Sequence, residues 1–104
     1  MDWTGYTSKN EEQLVAVLTD MANRAKSEVN YSATRFFEML HSIGAKETVR
    51  QLLGTPHPSD GFTNMLLAGR LDLTLEWVVQ DEPWRSFLTT KELRTAQSRT
   101  GPRK

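Results

Sequence analysis

The chain has 104 residues, with 13 Lys plus Arg against 13 Asp plus Glu and a formal net charge of +0. A balanced chain of one domain's length has no global field to draw it to nucleic acid or anionic membrane, although local patches remain open. Cys is 0, which excludes disulfides, thiolate nucleophiles, iron–sulfur clusters and cysteine-based zinc sites. No apolar run approaches the ~18 residues of a membrane span. The N-terminus MDWTGYTSKNEEQ lacks the basic-then-apolar order of a secretory signal, so the cytoplasm is the expected compartment.

Residues 1–8 read as irregular, with Trp3 and Tyr6 large enough to pin the segment to a core. Ser8 and Glu11 have the spacing of a capping box, which predicts a helix over 9–28. Its stripe is Leu14, Val17, Leu18, Met21 and Ala25, in steps of three and four; Arg24, Lys26 and Glu28 lie off it. Asn30 or Ser32 is expected to cap a second helix over 32–43, carrying Phe36, Phe37, Met39, Leu40 and Ile43. Gly44 stops it. A third helix follows over 45–53, with Val49, Leu52 and Leu53, and ends at Gly54.

Two prolines and two glycines make GTPHPSDG (54–61) a loop. Ser59 or Asp60 caps a fourth helix over 60–69, with Phe62, Met65 and Leu66 expected inward and Gly69 at its end. The run LDLTLEWVV (71–79) first alternates like a strand. Asp72 as a cap, the pair Val78 and Val79, and the lack of a second strand favour a fifth helix over 73–80, closed by Pro83. Trp84, Phe87 and Leu88 are expected to fold back onto the core. Thr89 and Glu92 repeat the capping-box spacing and begin a last helix over 90–98 with Leu93 and Ala96. The predicted fold is all-α: five to six short helices in a compact orthogonal arrangement. Residues 1–98 form one domain and 99–104 a flexible basic tail.

Three blocks carry a resemblance: YSATRFFEMLHSIGAKETVRQLL (31–53), PSDGFTNMLLAGRLDLTLEWVV (58–79) and EPWRSFLTTKELRTA (82–96). With its "SDGF…GRLDLT.E" centre, the chain resembles a widespread family of small bacterial proteins of uncharacterised function. The resemblance implies a stand-alone helical domain and carries no catalytic residue over.

Each candidate for chemistry has a plainer structural explanation. Glu38 and His41 stand three apart on one helix face, as in di-metal bundles, but that motif is needed twice and the other histidine, His57, is in a loop. His57, Ser59 and Asp60 are too close in sequence to assemble a hydrolytic triad; a helix cap explains Ser59 or Asp60 more simply. Gly61 and Gly69 belong to no phosphate-binding motif. Arg70, Asp72 and Glu76 admit a carboxylate pair for acid–base work, and also a capping and ion-pair network; the network is favoured. No catalytic, cofactor-binding or metal-binding residue is therefore assigned.

Two surfaces remain. Trp3, Trp77 and Trp84 are candidate partner anchors, since exposed Trp is enriched at interfaces; the alternative is that they cover one another and tie down the N-terminal arm. Arg35, Lys46 and Arg50, on a helix-turn-helix-like pair over 32–53, are candidate nucleic-acid contacts. The basic end, with Lys91, Arg94, Arg99, Arg103 and Lys104, adds phosphate-binding capacity. The expected function is a noncatalytic protein-interaction module, self-associating or docking onto a larger protein; the alternative is a nucleic-acid-associated domain.

Overall fold

The computed structural model describes residues 3–101. Six α-helices and a 3₁₀ turn follow one another: α1 (Ser8–Val29), α2 (Thr34–Leu53), α3 (Asp60–Leu67), the 3₁₀ turn (Leu71–Leu73), α4 (Leu75–Val78), α5 (Trp84–Phe87) and α6 (Thr90–Thr100). No strand occurs among the described residues. The fold is all-α, and LDLTLE forms the 3₁₀ turn and the start of α4.

Local signals set most helix ends, with informative shifts. The first capping box is Thr7 with Asn10, not Ser8 with Glu11: the Thr7 hydroxyl accepts the Asn10 amide at 3.2 Å and Asn10 Oδ1 accepts the Thr7 amide at 3.0 Å. Asn30, expected to open the second helix, instead closes α1 in the left-handed conformation, φ 60. Ala33 takes the N-cap position of α2 and offers no side-chain acceptor. Ser59 caps α3 through the Phe62 amide. Thr74, rather than Asp72, caps α4 through the Trp77 amide; a hydroxyl directly before the helix wins over a carboxylate already held by Arg70. Thr89 and Glu92 form the expected box at α6.

Gly44 breaks α2 with φ 84 and ψ 173, a conformation nearly closed to other residues. The two predicted helices are therefore the two halves of α2, 34–43 and 45–53. A carboxylate from another helix caps the second half. Glu11 Oε2 accepts the Ala45 amide at 2.6 Å, and Oε1 accepts the Lys46 amide at 3.1 Å and the Tyr6 hydroxyl at 2.7 Å. A Cβ on Gly44 would stand 2.7 Å from Glu11 Oε2. The break thus needs glycine both for its φ and for room.

The main core joins Leu14 and Leu18 of α1 to Ala45, Val49 and Leu53 of α2 and to Leu75, Val79, Trp84, Leu88 and Ala96. A smaller cluster, Ala25, Met65 and Leu73, lies under Met21, Val29 and Tyr31. Val17 is 40% exposed, so the α1 stripe is narrower than its spacing predicts. Leu66, expected inward, is half exposed: the buried residues of α3 are Phe62 and Met65, and the helix ends at Leu67.

Trp3 and Trp84 are buried, so at these two positions the side chains are core and not exposed anchors, and the alternative of a tied-down N-terminal arm holds for Trp3. The Trp3 ring stacks on Phe87 with centroids 6.1 Å apart, and Tyr6 packs edge-on against both rings. The Trp3 amide donates to the Phe87 carbonyl, and its indole N–H donates to Glu92 Oε1 at 3.0 Å. Glu92 also accepts the Thr89 amide and the Arg50 Nε–H. One capping carboxylate so ties the N-terminal arm, α2 and α6 together. Trp3→Phe keeps the stacking but loses the bond to a charged acceptor. It is expected to cost about 1.5–3 kcal/mol in urea unfolding.

Candidate functional site

A cleft of ≈ 560 Å³ opens between the middle of α1, the two ends of α2, α3 and the 3₁₀ turn. Met21, Ala22 and Ala25 come from α1; Tyr31 to Phe36 and Met39 come from the α1–α2 link and the first half of α2. Gln51, Leu52 and Thr55 come from the end of α2 and the turn after it, and Pro58 to Phe62 and Met65 come from the loop before α3 and from α3 itself. Leu73, Thr74, Leu75 and Glu76 complete the lining. Ala25, Met65 and Leu73 of the smaller core cluster are part of the cleft lining. Met21, Tyr31, Phe36 and Met39 remain half-buried, and Phe62 and Met65 are buried.

Glu76 is a buried carboxylate within this apolar wall, 2% exposed. Its Oε2 accepts Arg99 Nη1–H at 3.0 Å. The same guanidinium donates to the carbonyls of Leu52 at 3.0 Å and Thr55 at 2.8 Å. Burial pushes the Glu76 carboxyl up, against its own backbone amide and the Arg99 charge that favour ionisation. Arg99 is therefore no part of a free tail. It lies in the last turn of α6, past the predicted end at 98, with a buried side chain.

The other candidate residues divide clearly. Arg70 holds Asp72 through two bonds of 3.0 Å and Glu28 at 2.8 Å, and Glu28 holds Arg24. Asp72 and Glu76 thus enter separate ion pairs, and the expected network around Arg70 reaches back to α1. The Arg70 guanidinium holds the Asp72 carboxyl below its ordinary range. Arg50 pairs with Glu92 at 2.9 Å, and Lys46 lies over the Tyr6 ring, 5.8 Å from its centroid. Arg35 is exposed in the first turn of α2. Lys91 and Arg94 are exposed on α6, while Arg103 and Lys104 lie outside the described residues.

Trp77 is half-buried and lines a second depression with Val17, Val78, Trp84, Asp72, Asp81 and Glu82. Glu38, His41 and His57 are exposed. Among the described residues no group of three or more His, Cys, Asp or Glu is placed to hold a metal ion. No helix among the described residues is long and apolar enough to cross a membrane.

Sequence reasoning placed the cleft residues in the core. One signal distinguishes them: Phe-x-x-Met occurs twice, at Phe36 and Met39 and at Phe62 and Met65, and both pairs line the cleft. The Glu11 cap had no comparable signal, because its amide partners are 34 and 35 residues away.

Set against protein-family models, curated proteins and solved structures, the chain finds no match.

Proposed function

We propose that this chain is a noncatalytic interaction domain that holds an apolar segment of a protein partner in the cleft between α1, α2 and α3. The carrying observation is the lining. Met21, Met39 and Met65 line it together with Phe36, Phe62 and Tyr31 around ≈ 560 Å³, a volume in the range of ligand sites. Methionine adapts its shape at little cost and aromatics supply contact area, the combination used by surfaces that seat apolar anchors. Residues 31–53 and 58–79 supply most of these walls. The ionised groups nearby are committed to structure: Glu76 to Arg99, and Asp72 to Arg70.

A random-peptide display library selected on the folded protein tests this reading. Binders are expected to lose about tenfold or more in affinity when Met39 becomes Glu, since a charge would then stand against the apolar anchor. Met39→Ala should weaken them less, and urea unfolding should confirm that both variants fold. Binders indifferent to Met39→Glu would place the partner surface elsewhere.

A further inference from the structure

We infer that the segment held in the cleft is α3 of a second copy of this chain: Leu66 and Leu67 of each copy enter the cleft of the other in a two-fold symmetric pair. The inference rests on the proposed cleft and names its occupant.

α3 carries both halves of such a contact. Phe62 and Met65 are buried and line the cleft, while Leu66 and Leu67, next along the helix, are 50% and 82% exposed. Leu67 is the most exposed large apolar side chain among the described residues. The end of α3 that presents it is closed rather than frayed. The Arg70 amide donates to the Met65 carbonyl at 2.8 Å, and the Gly69 amide donates to the Leu66 carbonyl at 3.1 Å. With Gly69 at φ 72, this is the paired closure that ends a helix on a left-handed glycine. Two apolar anchors are thus held in place without cover, and inserting fixed anchors costs less ordering than inserting mobile ones. Met65 is one residue from Leu66, so anchor and cleft wall share one patch of the surface. A two-fold contact needs that arrangement, because the same patch must supply both the part that enters and the part that receives.

The charges at the cleft agree with this occupant. Arg35 and Asp60 both line it, both are exposed, and neither has an ion pair among the described residues. One cation and one anion select neither an acidic nor a basic segment, but they complement a second copy of themselves. Across a two-fold axis, Arg35 of each copy meets Asp60 of the other. The formal net charge of +0 sets no overall repulsion between copies.

Sedimentation equilibrium of the full chain tests the inference. At ~100 μM, above the ~10 μM Kd of a weak pair, the mass should approach twice that of the chain, and at ~1 μM it should fall toward one chain. Leu67→Glu and Met39→Glu should each give a monomer at ~100 μM, because a charge then faces an apolar surface. Their circular dichroism should stay helical. Arg35→Glu and Asp60→Arg should each weaken the pair about three- to tenfold at low salt, and the double variant should regain most of the loss. Leu67→Glu leaves the cleft vacant, so it should bind Met39-dependent selected peptides more tightly than wild type does at the same concentration.

A wild type that is monomeric at ~100 μM, or a dimer indifferent to Leu67→Glu, overturns the inference; selected peptides that still depend on Met39 then leave the cleft reading standing. Charge reversals that the double variant does not repair overturn the two-fold arrangement. A dimer and selected peptides that are both indifferent to Met39→Glu overturn the cleft reading itself.

Discussion

Replacing Arg99 by Met is expected to cost about 3–5 kcal/mol, the usual penalty for leaving one half of a buried pair. The geometry explains the size. Arg99 serves Glu76, the Leu52 carbonyl and the Thr55 carbonyl at once, each within 3.0 Å. Its loss strands a carboxylate and frees the end of α2 from the end of α6. Glu76→Gln in the Arg99→Met background should recover a substantial part of the loss, because no buried charge then remains. Urea unfolding at neutral pH measures both. A loss under about 1 kcal/mol in the single variant would mean that water reaches Glu76 and that the pair is not closed. The pH response adds a second readout. Glu76 is already pushed up in the folded protein, and without Arg99 it rises further. A carboxyl raised by folding contributes stability that is complete below its unfolded pKa and is lost as pH rises through the folded value. The Arg99→Met variant should therefore gain on wild type as pH falls from neutral.

Gly44→Ala is expected to cost about 3 kcal/mol or more. The backbone conformation alone costs about 1–3 kcal/mol for a residue with a Cβ. The new Cβ also meets Glu11 Oε2 at 2.7 Å and pushes it off the Ala45 amide. Glu11→Ala should cost about 2–3 kcal/mol, because two amides and the Tyr6 hydroxyl lose a charged acceptor. The two changes share one interaction, so the double variant should lose clearly less than the sum. Simple additivity would show that the carboxylate does not cap the second half of α2.

Acid titration should carry the opposite sign from the Arg99 case. Burial raises the Glu11 carboxyl, but the Tyr6 hydroxyl and the Ala45 and Lys46 amides outweigh it and hold it below its ordinary value. Glu92 is lowered in the same way, by the Thr89 amide, Arg50 and Trp3 against burial. Such groups contribute stability above the unfolded carboxyl pKa, and the contribution is lost as pH falls through the folded value. Wild type should lose stability in that acid window, and Glu11→Gln should show a shallower loss.

Much of the helix pattern was legible in the chain. Ser59, Thr89 with Glu92, and Gly44 act within three or four residues of where they stand, so reading along the sequence finds them. The failures share one cause. The spacing of Ser8 and Glu11 points to a local box, but Glu11 is drawn to amides that folding brings from across the chain. Arg99 reads as tail because nothing near it in sequence shows that Glu76 lies 3.0 Å away. Trp3 and Trp84 read equally well as anchors or as core, and only the closure of α5 and α6 over the N-terminal arm buries them.

The candidate site follows the same division. Composition excluded cysteine chemistry, and apolar spacing made the chain all-α, because periodicity and caps are local properties of the backbone. The Phe-x-x-Met pairs were present in the sequence, yet an apolar stripe is the same whether a neighbour covers it or not. Which stripe residues become core and which become cleft depends on where α1, α2 and α3 stop short of one another. Tertiary packing alone decided that, as it decided that the charge on Glu76 is matched inside the fold while Arg35 stands open at the cleft's rim.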